Sequence, residues 1–285
     1  MQTQPGASRR RRPLRVVHAV TAGVAVLALA GCSAPDNAFT RLGMPEPITD
    51  RATHTLFLWR GAWIAAFVVG IFVWTLIIGS VIRYRARGDN PAHQLRYHLP
   101  VEILYTFVPF VIVGVMFFYT VREQNVVTKV DRAVPPAHVV NVVGSQWKWT
   151  FNYRNEETVG ETVYDSGTPT ALPELWLVQN EKVGLHLSSP DVAHSFWVPD
   201  FLFKLDDLPG RDNYFEVTPT KLGTYKGRCA ELCGLFHSRM LFTVKVVSAT
   251  EFDAHLTQLK AAGHTGEATG PAIPQSAASG EESTP

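Results

Sequence analysis

Arg228-Cys229-Ala230-Glu231-Leu232-Cys233-Gly234-Leu235-Phe236-His237-Ser238-Arg239-Met240 gathers two thiols, an imidazole and a thioether into thirteen consecutive residues. Soft sulfur donors with imidazole favour copper over hard cations. A second imidazole, His194, stands upstream in Asp191-Val192-Ala193-His194-Ser195-Phe196-Trp197, at the end of a predicted strand. Zinc would take Cys229, Cys233, His237 and His194 in a closed tetrahedron and leave Met240 idle. A mononuclear blue-copper centre wants one cysteine, two histidines and a weak axial methionine, which leaves one thiol over. Two copper ions bridged by both thiolates use the whole set, with one histidine each and the axial positions left to Met240 and a backbone carbonyl.

Around this stretch the chain reads as short strands. His138–Val143, Lys148–Tyr153, Leu175–Gln179, Lys182–Ser188, Tyr214–Thr218 and Leu241–Val247 alternate or run apolar, with glycine and proline in the gaps. Six or more short strands in about 110 residues point to a sandwich or barrel of Greek-key type. Residues 130–248 hold 11 Lys and Arg against 14 Asp and Glu, a mild acidity that suits a basic partner. The whole-chain net charge of +1 points to no nucleic acid.

Upstream lie two uncharged runs. Gly61–Ile82 is long enough for a membrane helix, with Trp59 and Trp63 where interfacial aromatics are expected. Ile103–Val121 is the second, and membrane helices tolerate its Pro109 and Gly114. The connector carries Arg83, Arg85, Arg87 and Arg96 against Asp89 alone, so the positive-inside rule puts it in the cytoplasm. The strand-rich part then lies outside.

The N-terminus agrees with that topology. Arg9–Arg12 and Arg15 precede the apolar run Val16–Ala30, and Leu29-Ala30-Gly31-Cys32 resembles a lipobox. Residues 1–31 therefore read as a lipoprotein signal peptide, with Cys32 the lipidated first residue of the mature chain. Three cysteines make no disulfide framework. At the other end, residues 249–285 are expected to be a flexible tail, because Ala261–Pro285 is dominated by small and polar residues. No Cys-x-x-Cys-His occurs, so no haem c is expected here.

The Cys-x-Glu-x-Cys-x-x-x-His-x-x-Met run with the upstream Asp-x-x-His-Ser resembles the dinuclear CuA site of cytochrome c oxidase subunit II, in a bacterial lipoprotein form for which an actinobacterial source is one reading. The likeness extends from about Leu56 to Val247. It implies a two-helix transmembrane hairpin (56–122), after an outer segment (32–55), followed by a Greek-key cupredoxin β-sandwich (130–248). It implies Cys229 and Cys233 as bridging thiolates, His194 and His237 as terminal ligands, and Met240 and the Glu231 carbonyl as axial ligands. The Glu231 side chain is similar to one that helps bind magnesium at the boundary with subunit I. Gly144-Ser145-Gln146-Trp147-Lys148-Trp149 is similar to the family's aromatic segment, which makes Trp147 the residue that receives electrons from cytochrome c. Ser145 and Lys148 depart from the usual histidine and aromatic, so the local docking surface is expected to differ. Glu102 matches a glutamate near a proton-uptake route at the cytoplasmic end of the second helix.

The resemblance implies an oxidoreductase subunit of the bacterial plasma membrane, multi-pass, with its copper domain on the outer face. Its implied partners are subunits I and III, membrane lipid, and cytochrome c or a membrane-bound c-type cytochrome. Haem, oxygen reduction and most of the proton-pumping path would belong to subunit I, so this chain alone is not catalytic. Three rivals share parts of the pattern. A nitrous-oxide reductase has the copper site but lacks the hairpin and carries a large extra domain. A quinol oxidase subunit II has the hairpin and sandwich but lacks the ligands. A membrane-bound copper-delivery or assembly lipoprotein would need neither Glu102 nor the Trp147 segment.

Overall fold

The computed structural model describes residues 37–85, 95–167 and 171–270. The expected signal peptide, Cys32, Arg87, Asp89 and the chain after 270 lie outside the described residues. Contacts divide the chain into two units, Met1–Glu46 and Pro47–Pro285. In the first, the Asn37 side chain accepts the N–H groups of Phe39 and Thr40 and closes a short turn.

The second unit begins with helices α1 (Ala52–Arg83) and α2 (Leu99–Val127). Both are long and apolar enough to cross a membrane. Their apolar side chains are exposed all round, which in water would be costly. At about 1.5 Å per residue both exceed the roughly 30 Å of a bilayer core. The excess at one end is polar and well tied. Arg51 donates through its guanidinium to the carbonyls of Val126 and Lys129, satisfying the open end of α2. Nearby, His54 Nδ1 meets the buried Glu123 carboxylate at 2.7 Å.

Ten strands follow: β1 (His138–Ser145), β2 (Lys148–Glu156), β3 (Glu161–Ser166), β4 (Glu174–Val178) and β5 (Val183–Ser188), then β6 (His194–Val198), β7 (Phe203–Asp207), β8 (Asn213–Val217), β9 (Gly223–Cys229) and β10 (Leu241–Val247). They form two sheets, ordered β3-β2-β1-β5-β8 and β4-β10-β9-β6-β7. β1 with β5 and β4 with β10 pair parallel, and the remaining neighbours are antiparallel. The core between the sheets is aromatic. Trp149, Phe151 and Tyr153 project from β2 at the strand period of two; Trp149 meets Phe196 of β6 and Phe242 of β10, Phe151 meets Phe242, and Tyr153 meets Phe252 farther along the chain. Gly227 in β9 leaves room for this cluster, since a Cβ there would fall 2.1 Å from the Phe242 ring.

Six strands match the sequence expectation within a few residues, and β3, β6, β7 and β9 were not anticipated as strands. β3 and β7 are polar edge strands, and β9 carries two glycines, so pairing with neighbours decides them more than propensity does. His194 also starts its strand rather than ending one.

The expectation of a flexible tail from 249 is corrected. Ala249–Ala261 is a helix, α3, opened by a capping box in which Ser248 and Glu251 satisfy each other's backbone N–H. Phe252, Leu256 and Leu259 recur at helical spacing and are buried against the sandwich. The chain then crosses the outer side of the first sheet. Tyr164 N–H bonds the His264 carbonyl at 3.0 Å, and Asn152 exchanges two hydrogen bonds with the Ala268 backbone.

Candidate metal centre

The site lies at one end of the second sheet. Cys229 ends β9, Met240 immediately precedes β10, and His194 opens β6 beside them. The loop 230–240 is pinned at its base, where Cys229 N–H bonds the Met240 carbonyl at 3.0 Å and Ala230 N–H bonds the Ser195 carbonyl at 3.0 Å. Inside it, His237–Arg239 forms a short 3-10 turn. Gly234 has φ +125°, and a Cβ there would press to 3.1 Å from the Trp147 ring.

These segments bring all the expected donors together. The two thiols stand 3.8 Å apart, Cys229 Sγ to Cys233 Sγ. Cys229 Sγ is 3.9 Å from His194 Nδ1 and 3.2 Å from the Glu231 carbonyl oxygen. Cys233 Sγ is 3.5 Å from His237 Nδ1 and 3.8 Å from Met240 Sδ. The ligand atoms of His194, Cys229 and Cys233 all fall within 4.8 Å of one another. Sulfurs bound to one ion at about 2.3 Å along tetrahedral directions would lie roughly 3.8 Å apart, so the spacing fits metal ligation. Each thiol has its own imidazole and its own weak donor beside it. His194, both cysteines and Met240 are buried, while His237 is half-buried.

Electrostatics set the protonation of this set. Burial, reinforced by Cys229, pushes the Cys233 thiol up to about 12. A bound cation must therefore displace its proton. Burial also lowers the His194 pKa against the pull of Asp191. His194 Nε2 lies 2.8 Å from Asp191 Oδ1, an arrangement that keeps the proton on Nε2 and turns the Nδ1 lone pair toward the thiol. Asp191 is itself fixed by the Gln146 and Val192 N–H groups, each at 2.6 Å. Burial works against its charge, but these hydrogen bonds and His194 outweigh it and hold its carboxyl below the usual range. The sequence reading gave Asp191 no role. Its signal was the Asp-x-x-His spacing itself.

Trp147 is half-exposed at the rim. Its Nε1–H donates to the Cys233 carbonyl at 3.3 Å, and its ring meets Phe236 edge-on at 5.0 Å. The Glu231 side chain faces solvent while its backbone oxygen points to Cys229. Ser145 is fully buried, and Lys148 turns away to reach Ser166 Oγ at 3.3 Å. Glu102 is not brought to this site. It lies in the first turn of α2, about 37 Å along the helix from Val127, and its carboxylate accepts the His98 N–H at 2.8 Å.

A sandwich with two thiols and two imidazoles closing one sheet end, joined to a pair of apolar helices, defines a cupredoxin-like soft-metal domain on a helical anchor. The family described as cytochrome C oxidase subunit II, periplasmic domain, matches residues 138–247. The probable cytochrome c oxidase subunit 2 of Streptomyces coelicolor is 43% identical over 295 residues, covering 90% of this chain and 91% of that protein. Its counterpart from Streptomyces avermitilis is 42% identical with the same coverage. Among solved structures, the periplasmic domain of subunit II of cytochrome oxidase (CoxB) of Bradyrhizobium japonicum is 25% identical, with TM-score 0.41, covering 45% of this chain and 97% of that one. The chain belongs to the cytochrome c oxidase subunit II family.

Proposed function

We propose that the donor set holds a dinuclear copper centre that accepts electrons from a c-type cytochrome and passes them toward haem in subunit I, where oxygen reduction is coupled to proton pumping. One observation carries this reading: each of two thiols 3.8 Å apart has an imidazole and a weaker donor at its own side. A single tetrahedral zinc would leave Met240 unused although its sulfur is buried at the site.

Copper supplies a one-electron couple there, and the chain's residues do the rest. Trp147 presents a half-exposed ring to the donor and an N–H to the Cys233 carbonyl. Asp191 orients His194, and buried Met240 closes the inner side against water. Among ions, the exposed Glu231 carboxylate suits a magnesium shared with subunit I. Both helices span the bacterial plasma membrane, with the arginine-rich connector inside and the sandwich outside. Glu102, at the inner end of α2, borders the proton-uptake side, and Cys32 carries the lipid. Mass spectrometry of the mature terminus decides the last point, since an unmodified start away from Cys32 rejects it.

The deciding experiment is electron paramagnetic resonance of the copper-loaded chain in detergent. The expected spectrum is a seven-line hyperfine pattern from one electron shared by two copper nuclei. A four-line pattern, or stoichiometric zinc without copper uptake, overturns the proposal.

A further inference from the structure

Two tryptophans of the first sheet reach across to the same loop of the second. Trp147, in the turn between β1 and β2, donates its indole N–H to the Cys233 carbonyl, which also accepts Gln146 Nε2 at 2.7 Å. Trp149, in β2, donates its indole N–H to the Met240 carbonyl at 3.2 Å. That oxygen also accepts the Cys229 N–H. The segment Cys233–Met240, with His237 inside it, is thus held at both ends by two donors each.

We propose that Gln146-Trp147-Lys148-Trp149 is a two-point clamp that sets the metal loop before an ion arrives, with Trp149 a positioning residue for Met240. The proposal deepens the metal reading above and rests on it for its copper readouts. Placement explains the motif: side chains alternate along β2, so Trp149 faces the second sheet while Lys148 goes to Ser166, and the turn before β2 brings Trp147 to the Cys233 carbonyl.

The loop needs such a hold because it has little of its own. Its internal backbone bonds are those of short turns, His237 N–H to Gly234, Arg239 N–H to Phe236 and Met240 N–H to His237. Leu232 and Leu235 are each 79% exposed and add no packing. Trp149, by contrast, has no exposed surface. Its ring lies 6.3 Å from His194, edge-on, and 5.9 Å and 5.4 Å from Phe196 and Phe242. One side chain therefore touches the His194 strand directly and the Cys229–Met240 pair through a shared carbonyl. A weak axial sulfur tunes the potential of a copper site, so a shift of Met240 should register there.

The test compares Trp149→Phe with Phe151→Leu in the full chain in detergent. Phe151 is equally buried and meets Phe242 at 5.4 Å, so its truncation also opens space in the core while leaving the clamp intact. In metal-free protein, Trp149→Phe should speed amide hydrogen exchange across residues 229–240 by about fivefold or more, the scale of one lost hydrogen bond. Phe151→Leu should leave that segment at the wild-type rate. With copper, Trp149→Phe should shift the hyperfine splitting and release copper faster, while Phe151→Leu lowers the melting temperature with an unchanged spectrum. Wild-type exchange in Trp149→Phe, or equal acceleration in Phe151→Leu, overturns the clamp. If the metal reading itself fails, all three proteins lack the copper signal, and the exchange measurement still decides the clamp.

Discussion

Asp191→Asn tests how much the proposed metal centre depends on a residue outside its donor set. One carboxylate oxygen of Asp191 accepts from His194 Nε2 at 2.8 Å and from the Val192 N–H at 2.6 Å, and the other accepts the Gln146 N–H at 2.6 Å. Asparagine can keep only one oxygen, so its amide NH2 must face either the Gln146 N–H or the His194 ring. One donor is left against another donor. A buried donor without a partner costs about 1–3 kcal/mol, and a domain of this size loses roughly 2–4 °C of melting temperature per kcal/mol. Freed of its carboxylate, His194 also loses the hydrogen bond that fixes its orientation, and such partners are worth about 10–100-fold in metal affinity. Copper competition against a chelator, together with thermal melting of the metal-free chain, measures both effects. Wild-type affinity in a correctly folded Asp191→Asn protein would refute the argument that Asp191 orients the ligand.

Trp147→Phe should slow reduction by cytochrome c by orders of magnitude in stopped flow, and reduction at the wild-type rate means that electrons arrive elsewhere; because Gln146 Nε2 still holds the Cys233 carbonyl, its copper spectrum should shift less than that of Trp149→Phe. His138 bridges Glu156 and Glu181 at 2.8 and 3.0 Å, and although burial opposes its charge, these acids outweigh it and raise its pKa. A raised histidine stabilises fully below its unfolded pKa of about 6.5 and loses that contribution as pH rises through the folded value. The melting advantage of wild type over His138→Gln should therefore shrink above about pH 6.5, and a constant gap from pH 5 to 9 would exclude this linkage. Phe252→Ala, which removes the ring that packs on His138 and Tyr153, should cost about 3–5 kcal/mol in denaturant unfolding. An unaltered midpoint there would mean that α3 does not dock in solution.

The donor types were readable from the sequence because ligand chemistry is local: two thiols, an imidazole and a thioether within thirteen residues need no fold to be recognised. The two helices were readable for a similar reason, since an uncharged run of sufficient length satisfies its own backbone whatever surrounds it. The same holds for the six strands whose apolar pattern is strong. α3 was legible in principle, through Ser248-x-x-Glu251 followed by Phe252, Leu256 and Leu259, and the small polar residues after it masked that signal.

Tertiary structure alone decided the rest. β3, β7 and β9 exist because neighbouring strands complete their hydrogen bonds, and no residue pattern within them announces it. His194 lies 35 residues before Cys229, and only the pairing of β6 with β9 brings its Nδ1 to 3.9 Å from that thiol. Asp191 and Trp149 gained their roles in the same way, one through a hydrogen bond to a ligand and the other through a carbonyl on the opposite sheet. A side chain's chemistry is written in its own residue, but its partners depend on how distant backbone segments pack, and that is settled only when the whole sandwich closes.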